Sequence, residues 1–300
     1  MSEVKNYYAD DKKQTFYQKY WGGESIHVGI YLNEFKVFAD TDSSDDDYEL
    51  GSFIRDASRF KSNVMSNLIK SYLLTERFTH DSHGNKVKFT IADWGAGYGG
   101  TARTLSKMWN GALNLSLSCY DLSDRNCEYN AKINAVEQHS NIAIYNQSFL
   151  DIENRWFDII YSEDAFVHLD DKQLIFDRAY ENLNTNGHFI FSDIILKNPD
   201  TCSEETLKEI CRRINVNTVG SRDGYIKCAE TAGLTLCNVI EYNADIKKHY
   251  KYIKQFYQEN EPPETQDSDI LTGLDDWIRH ADEDNLTMAI FIFKKDKHIQ

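Results

Sequence analysis

From about Lys86 onward the chain alternates short apolar runs with amphipathic stretches, and the first of these runs passes directly into Trp94-Gly95-Ala96-Gly97-Tyr98-Gly99-Gly100. VKFTIAD, LNLSLSCYD, NIAIYN, FDIIYSED and GHFIFSDI read as strands. TARTLSKMW, DRNCEYNAKINAV with Asp124 at its start, and KQLIFDRAYENL read as helices between them. Strands separated by helices wind into a parallel sheet with helical crossovers. After Pro199 the pattern predicts helices over Glu204 to Arg213, Asp223 to Ala232, Asp245 to Tyr257 and Asp269 to His280, with the strands LTLCNVIEY and LTMAIFIF among them. No internal repeat interrupts this order.

Upstream, Phe16, Tyr17 and Tyr20 recur at helical spacing within Asp10 to Tyr20, and the apolar residues from Ser52 to Arg77 predict one long helix or two short ones. Between them, the acidic run from Asp40 to Glu49 lacks the spacing of a calcium loop and reads as a solvated segment. With 33 Lys plus Arg against 48 Asp plus Glu, the net charge of -15 repels a phosphate backbone, so a nucleic-acid partner is not expected. The chain opens without a basic and apolar leader and contains no apolar run of membrane-spanning length, so a cytoplasmic protein without membrane attachment is expected. The six cysteines stand singly, outside zinc-ligand spacing, and read as reduced thiols with no metal site.

The glycine loop carries the chemistry. Gly95, Gly97 and Gly100 satisfy G-x-G-x-x-G, and Asp121 closes the next strand where a carboxylate can accept two ribose hydroxyls. Glycines there let a nucleoside ligand approach main-chain N–H groups. Nicotinamide dinucleotides and S-adenosylmethionine (SAM) both suit such a loop. Asp93 at its entrance disfavours a pyrophosphate and favours the ammonium of SAM.

The arrangement D-x-G-x-G-x-G-G followed by an acid at the next strand end resembles the class I SAM-dependent methyltransferases. That resemblance implies an α/β fold, a Rossmann-like seven-stranded mostly parallel sheet ending in an antiparallel pair, with an N-terminal helical lid and inserted helices. Residues 1–80 are expected to cover the active site. Residues 81–300 are expected to form the SAM-binding domain, with helical insertions at about 198–232 and 245–282. The segments FYQKYWGGESIHVGIY, ADWGAGYGGTAR, QSFLDI, YSEDAFVHL, RINVNTVGS, HYKYIKQF and GLDDWIRH occur in an order similar to the sarcosine/dimethylglycine N-methyltransferases of glycine betaine synthesis. A more distant likeness is to the phosphoethanolamine N-methyltransferases.

These resemblances imply roles. Asp93, Gly95 and Gly97 would meet the amino-acid end of SAM, Asp121 and Leu122 its ribose and adenine, Ser148 and Phe149 its adenine, and Asp164 its methionine portion. Tyr17 and His168 match a dyad that closes the site in the phosphoethanolamine enzymes. Histidine is also the side chain best matched to accepting a proton from an amine near neutral pH. Methylated amines are cations that aromatic faces hold, which makes Tyr20, Trp21, Phe166 and Trp277 acceptor-side candidates. A carboxylate on the acceptor calls for an arginine fork, and Arg213 stands in a stretch similar to the betaine enzymes' R-I-x-x-x-x-x-G-S. The expected activity is methyl transfer from SAM, leaving S-adenosylhomocysteine (SAH), to a small amine such as sarcosine or dimethylglycine. The alternatives are another small acceptor, a phosphobase among them, a nicotinamide-dependent oxidoreductase, and a cofactor-binding protein without catalysis. A homodimer is compatible with the sequence.

Overall fold

The computed structural model describes residues 11–21, 23–31, 50–76 and 79–297. The acidic run 40–49 lies outside them. Seven strands, β1 (Lys88–Trp94), β2 (Asn114–Asp121), β3 (Ile142–Asn146), β4 (Phe157–Glu163), β5 (Leu183–Leu196), β6 (Thr235–Glu241) and β7 (Leu286–Lys294), form one sheet in the order β3-β2-β1-β4-β5-β7-β6. β1 to β5 pair in parallel, and β7 runs antiparallel between β5 and β6. The apolar runs explain this order. β4 and β7 are buried along nearly their whole length, as strands covered on both faces must be. The order reverses between β1 and β4, which opens a crevice at their carboxyl ends.

Nine helices accompany the sheet among the described residues: α1 (Asp11–Phe16), α2 (Leu50–Glu76), α3 (Gly100–Trp109), α4 (Asp124–Val136), α5 (Lys172–Asn182), α6 (Glu204–Ile214), α7 (Arg222–Ala232), α8 (Asn243–Asn260) and α9 (Ser268–Asp282). The apolar period over Ser52 to Arg77 resolves as a single helix. Their starts follow capping chemistry. Ser123 accepts the Asn126 N–H ahead of α4, Ser203 the Thr206 N–H ahead of α6, and Asp267 the N–H groups of Asp269 and Ile270 ahead of α9. Each such cap contributes about 1 kcal/mol.

The N-terminal helix departs from the regular period. After α1 the chain widens into a π-helical turn over Tyr17–Trp21, which turns Tyr17, Tyr20 and Trp21 all inward. The rings join an apolar cluster with α6, α8, α9 and the carboxyl end of β5, including Ile194, Ile210, Tyr250 and Trp277. Two further clusters fill the two faces of the sheet. The N-terminal segment thus packs together with α6, α8 and α9, while α7 packs through Tyr225 and Ala229 in another cluster. No helix of the described residues is long and apolar enough to cross a membrane.

Candidate active site

The crevice is built first by backbone. Gly95 (φ 76°) and Gly97 (φ 52°) occupy the left-handed region that side chains rarely enter, and Gly99 (φ 77°) starts α3. A Cβ on Gly95 would stand 2.5 Å from the Cβ of Ala165, so the loop after β1 lies directly against the loop after β4. Gly95→Ala is therefore expected to cost about 1–3 kcal/mol of stability, read as a lowered Tm, and to weaken SAH binding by calorimetry. Unchanged values for both would show that the two loops do not need this contact.

A cavity at this point is lined by Gly95, Gly97, Asp121, Leu122, Ser148, Phe149, Asp164 and His168, together with Ile26 and Glu163. Asp121 is fixed from below: its carboxylate accepts the N–H of Gly97 (2.7 Å), the N–H of Ser123 (2.8 Å) and the Asn126 side-chain amide (3.3 Å). Ser148 caps the turn that follows it by accepting the Leu150 N–H. Phe149 stacks on Trp94 at 4.8 Å with its ring nearly parallel.

Asp93, expected at this cavity, does not line it. Its register neighbour on β4 is Tyr161, whose hydroxyl donates to it at 2.6 Å beneath the loop. Burial pushes its carboxyl up to about 8, so it holds a proton at neutral pH and offers no counter-charge. Glu163, at the end of β4, takes that place. Its side chain is mostly buried and lines the cavity, and its Oε2 accepts no hydrogen bond and lies 3.4 Å from Nε2 of His27, an imidazole that burial holds toward its neutral form. A carboxylate on the cavity wall that the protein leaves with hydrogen-bonding capacity unused fits an ammonium group, which SAM carries.

Beyond Asp164 lies a second, smaller cavity of about 30 Å³, lined by Tyr17, Trp21, Ile26, Asp164, His168, Arg213, Tyr250 and Trp277, among others. His168 is the last residue of the short turn Phe166–His168. Lys172, donating to the carbonyls of Phe166 (2.8 Å) and Leu169, and Asp193, accepting the Val167 N–H (3.1 Å), hold that turn. Burial, with Lys172 and Arg213 nearby, pushes the His168 imidazole down to about 3. It is neutral at physiological pH, and the Ile214 main chain hydrogen-bonds its ring.

Arg213 is held by rings. Its guanidinium lies 4.9 Å from the Trp277 ring centroid, 5.0 Å from Tyr250 and 5.5 Å from Trp21. Gly273 makes room for its stem, since a Cβ there would approach Arg213 Cγ to 3.0 Å. Trp277 is fixed in turn by donating its indole N–H to the Ile210 carbonyl.

Asp164 joins the two cavities and is saturated by protein. It accepts from Lys61 Nζ at 2.8 Å to each oxygen, from Ser192 Oγ at 2.6 Å and from the Val28 N–H at 2.8 Å. Burial alone would raise its carboxyl, but Lys61 and His27 hold it below the usual range. Two expected residues stand elsewhere. Tyr20 packs on Phe256 and Tyr257 and donates its hydroxyl to Glu261, and Phe166 is wholly buried among Phe149, Phe189 and Phe191. Neither lines the two cavities. Among the described residues, no group of His, Cys, Asp and Glu is arranged to hold a metal ion.

A glycine-lined crevice at the switch point of a β3-β2-β1-β4-β5-β7-β6 sheet, with a second cavity behind it, is the fold and site arrangement of the class I SAM-dependent methyltransferases. Residues 92–191 match the family model described as a methyltransferase domain. Within that class the chain resembles the sarcosine/dimethylglycine N-methyltransferases. It is 27% identical to the enzyme of that name from Halorhodospira halochloris, over 97% of this chain and 95% of the relative, and 25% identical to that from Aphanothece halophytica over 98% and 96%. A crystal structure from Galdieria sulphuraria, provisionally named a sarcosine dimethylglycine methyltransferase, superposes with a TM-score of 0.77 at 27% identity, covering 95% of this chain and 99% of that one. The geranyl diphosphate C-methyltransferase of Streptomyces coelicolor shares the fold at a TM-score of 0.72 and 10% identity, over 98% of this chain and 97% of that one.

Proposed function

We propose that the chain methylates a small amine that carries a carboxylate, of the sarcosine or dimethylglycine type, as its relatives' names also suggest. The observation that carries this reading is Arg213, clasped by Trp21, Tyr250 and Trp277 on the wall of the same cavity as His168. A guanidinium supported on aromatic faces is held in place by them, and its planar edge of donors matches a carboxylate in two parallel hydrogen bonds.

SAM, when bound, supplies an electrophilic methyl group. In this reading Glu163 and the Gly95–Gly97 loop hold its amino-acid end, Asp121 and Leu122 its ribose, and Ser148 and Phe149 its adenine. His168 lies where the two cavities meet, so its neutral imidazole orients the acceptor nitrogen, accepting the N–H where the amine is secondary; the amine reacts as its neutral form through its lone pair, and any proton left on the methylated nitrogen departs to solvent. Tyr17 closes the inner cavity over the acceptor. Its role with His168 is closure and positioning, and residues 1–80 with the helical insertions at about 198–232 and 245–282 serve as cover over the SAM-binding sheet.

The test is calorimetry with SAH, followed by an acceptor panel of glycine, sarcosine, dimethylglycine, phosphoethanolamine and simple amines scored by SAH release. Activity confined to carboxylate-bearing amines is expected. Preference for phosphoethanolamine, or for amines without an acid group, would sink the reading. In the same assay Arg213→Lys is expected to raise the acceptor KM by about 10- to 100-fold, because an ammonium cannot supply the paired donors. An unchanged KM would remove Arg213 from acceptor recognition.

A further inference from the structure

Three spaces stand in series. The cofactor cavity and the inner cavity share the walls Ile26, Asp164 and His168. The inner cavity in turn shares Tyr17 and Arg213 with a third space, an open cleft of about 470 Å³ between α1, the end of α6 and the start of α9. The cleft and the cofactor cavity have no lining residue in common. Tyr17 and Arg213 are thus a partition between the cleft and the acceptor cavity. At about 30 Å³ the inner cavity holds roughly a water molecule, so this partition is shut in the structure and must move to admit an amino acid.

The sign of the cleft is opposite to that of the chain. It presents Lys12, Lys13, Arg212 and Arg213 against Asp267 and Asp269, and with Arg212 ion-paired to Asp276 beside the cleft a net positive charge still remains, in a protein of net charge -15. Asp267 is further occupied as the cap of α9 and by Lys12 at 3.3 Å. A lined cleft of one sign concentrates ligands of the other and raises their rate of entry.

We infer that the acceptor enters through this cleft, past Tyr17 and Arg213, by a mouth separate from that of the cofactor. The inference rests on the proposed carboxylate-bearing acceptor, and its test does not need turnover. Val167 lines the inner cavity, so Val167→Cys reports access to it. The variant is treated with an anionic, sulfonate-bearing methanethiosulfonate reagent, and labelling of Cys at that position is followed by peptide mass spectrometry, with and without saturating SAH. Labelling within about twofold in the two states is expected. Adding Thr272→Trp, on the exposed wall of the cleft, is expected to slow labelling at least tenfold while SAH affinity stays unchanged. Lys13→Glu is expected to remove the reagent's advantage over a neutral analogue. Labelling abolished by SAH, absent in both states, or indifferent to Thr272→Trp overturns the inference. If labelling behaves as expected but no carboxylate-bearing amine is methylated, the route stands and the substrate reading falls.

Discussion

Replacing His168 by alanine is expected to lower turnover by about 10²- to 10⁴-fold while SAH affinity, measured by calorimetry, changes by no more than a few fold. The separation of effects follows from position. His168 is on the wall shared by the two cavities, and the cofactor cavity has many other walls. With its imidazole pushed down to about 3, His168 stays in its accepting form from mildly acidic to alkaline pH, so the wild-type rate should show no inflection near 6.5 from this residue. The same depression has a stability sign. Between pH 6.5 and about 3 the unfolded chain takes up a proton that the folded one refuses, so stability falls as pH falls, and His168→Ala should lessen that fall. Unchanged turnover in the variant would remove His168 from the reaction.

Lys61→Met is expected to cost about 3–5 kcal/mol, seen as a Tm drop on the order of 10 °C. Lys61 is wholly buried and holds both oxygens of Asp164, which in turn holds the Val28 N–H of the N-terminal segment and Ser192 of β5. Removing the ammonium strands a buried carboxylate among these partners. The double variant Lys61→Met/Asp164→Asn should recover part of the loss, because the remaining amide carries no charge. A Tm within 2 °C of wild type in the single variant would show that the pair does not tie the cover to the sheet.

The parallel sheet and its glycine turn were legible because local pattern dictates them. Period-two and continuous apolar runs, glycines before a helix and Ser or Asp caps all act within a few residues of chain. Leu122, Ser148 and Phe149 fall at the crevice for the same reason, as each follows a strand end. Asp93 shows where this logic stops. Its spacing from the glycines suited a counter-charge, but the strand that lands beside β1 brings Tyr161 to it, and burial then neutralises it. Glu163 carried a weak signal, being an acid at the end of β4, but nothing in the sequence distinguished it from Asp164 next to it.

Lys61 and Tyr250, and His249 packed edge-on against Trp21 beside the inner cavity, were not legible at all. They sit on helices that reach the site only through packing. His249 Nδ1 accepts the Gly29 N–H at 3.2 Å and lies 2.8 Å from the Tyr31 hydroxyl, contacts separated by more than two hundred positions. The aromatic candidates divided for a related reason. Ring type marks burial, but only the π-helical turn decides that Tyr17 and Trp21 face the cavity while Tyr20 faces Phe256 and Tyr257.

The three rings around Arg213 have a consequence for how the reaction ends. Aromatic faces that could detain a quaternary ammonium are already occupied by the protein's own cation. A fully methylated product, having lost its last nitrogen lone pair, finds no aromatic seat left among these rings. On the proposed reading its hold is the carboxylate alone, an arrangement that favours release of the final product over its retention.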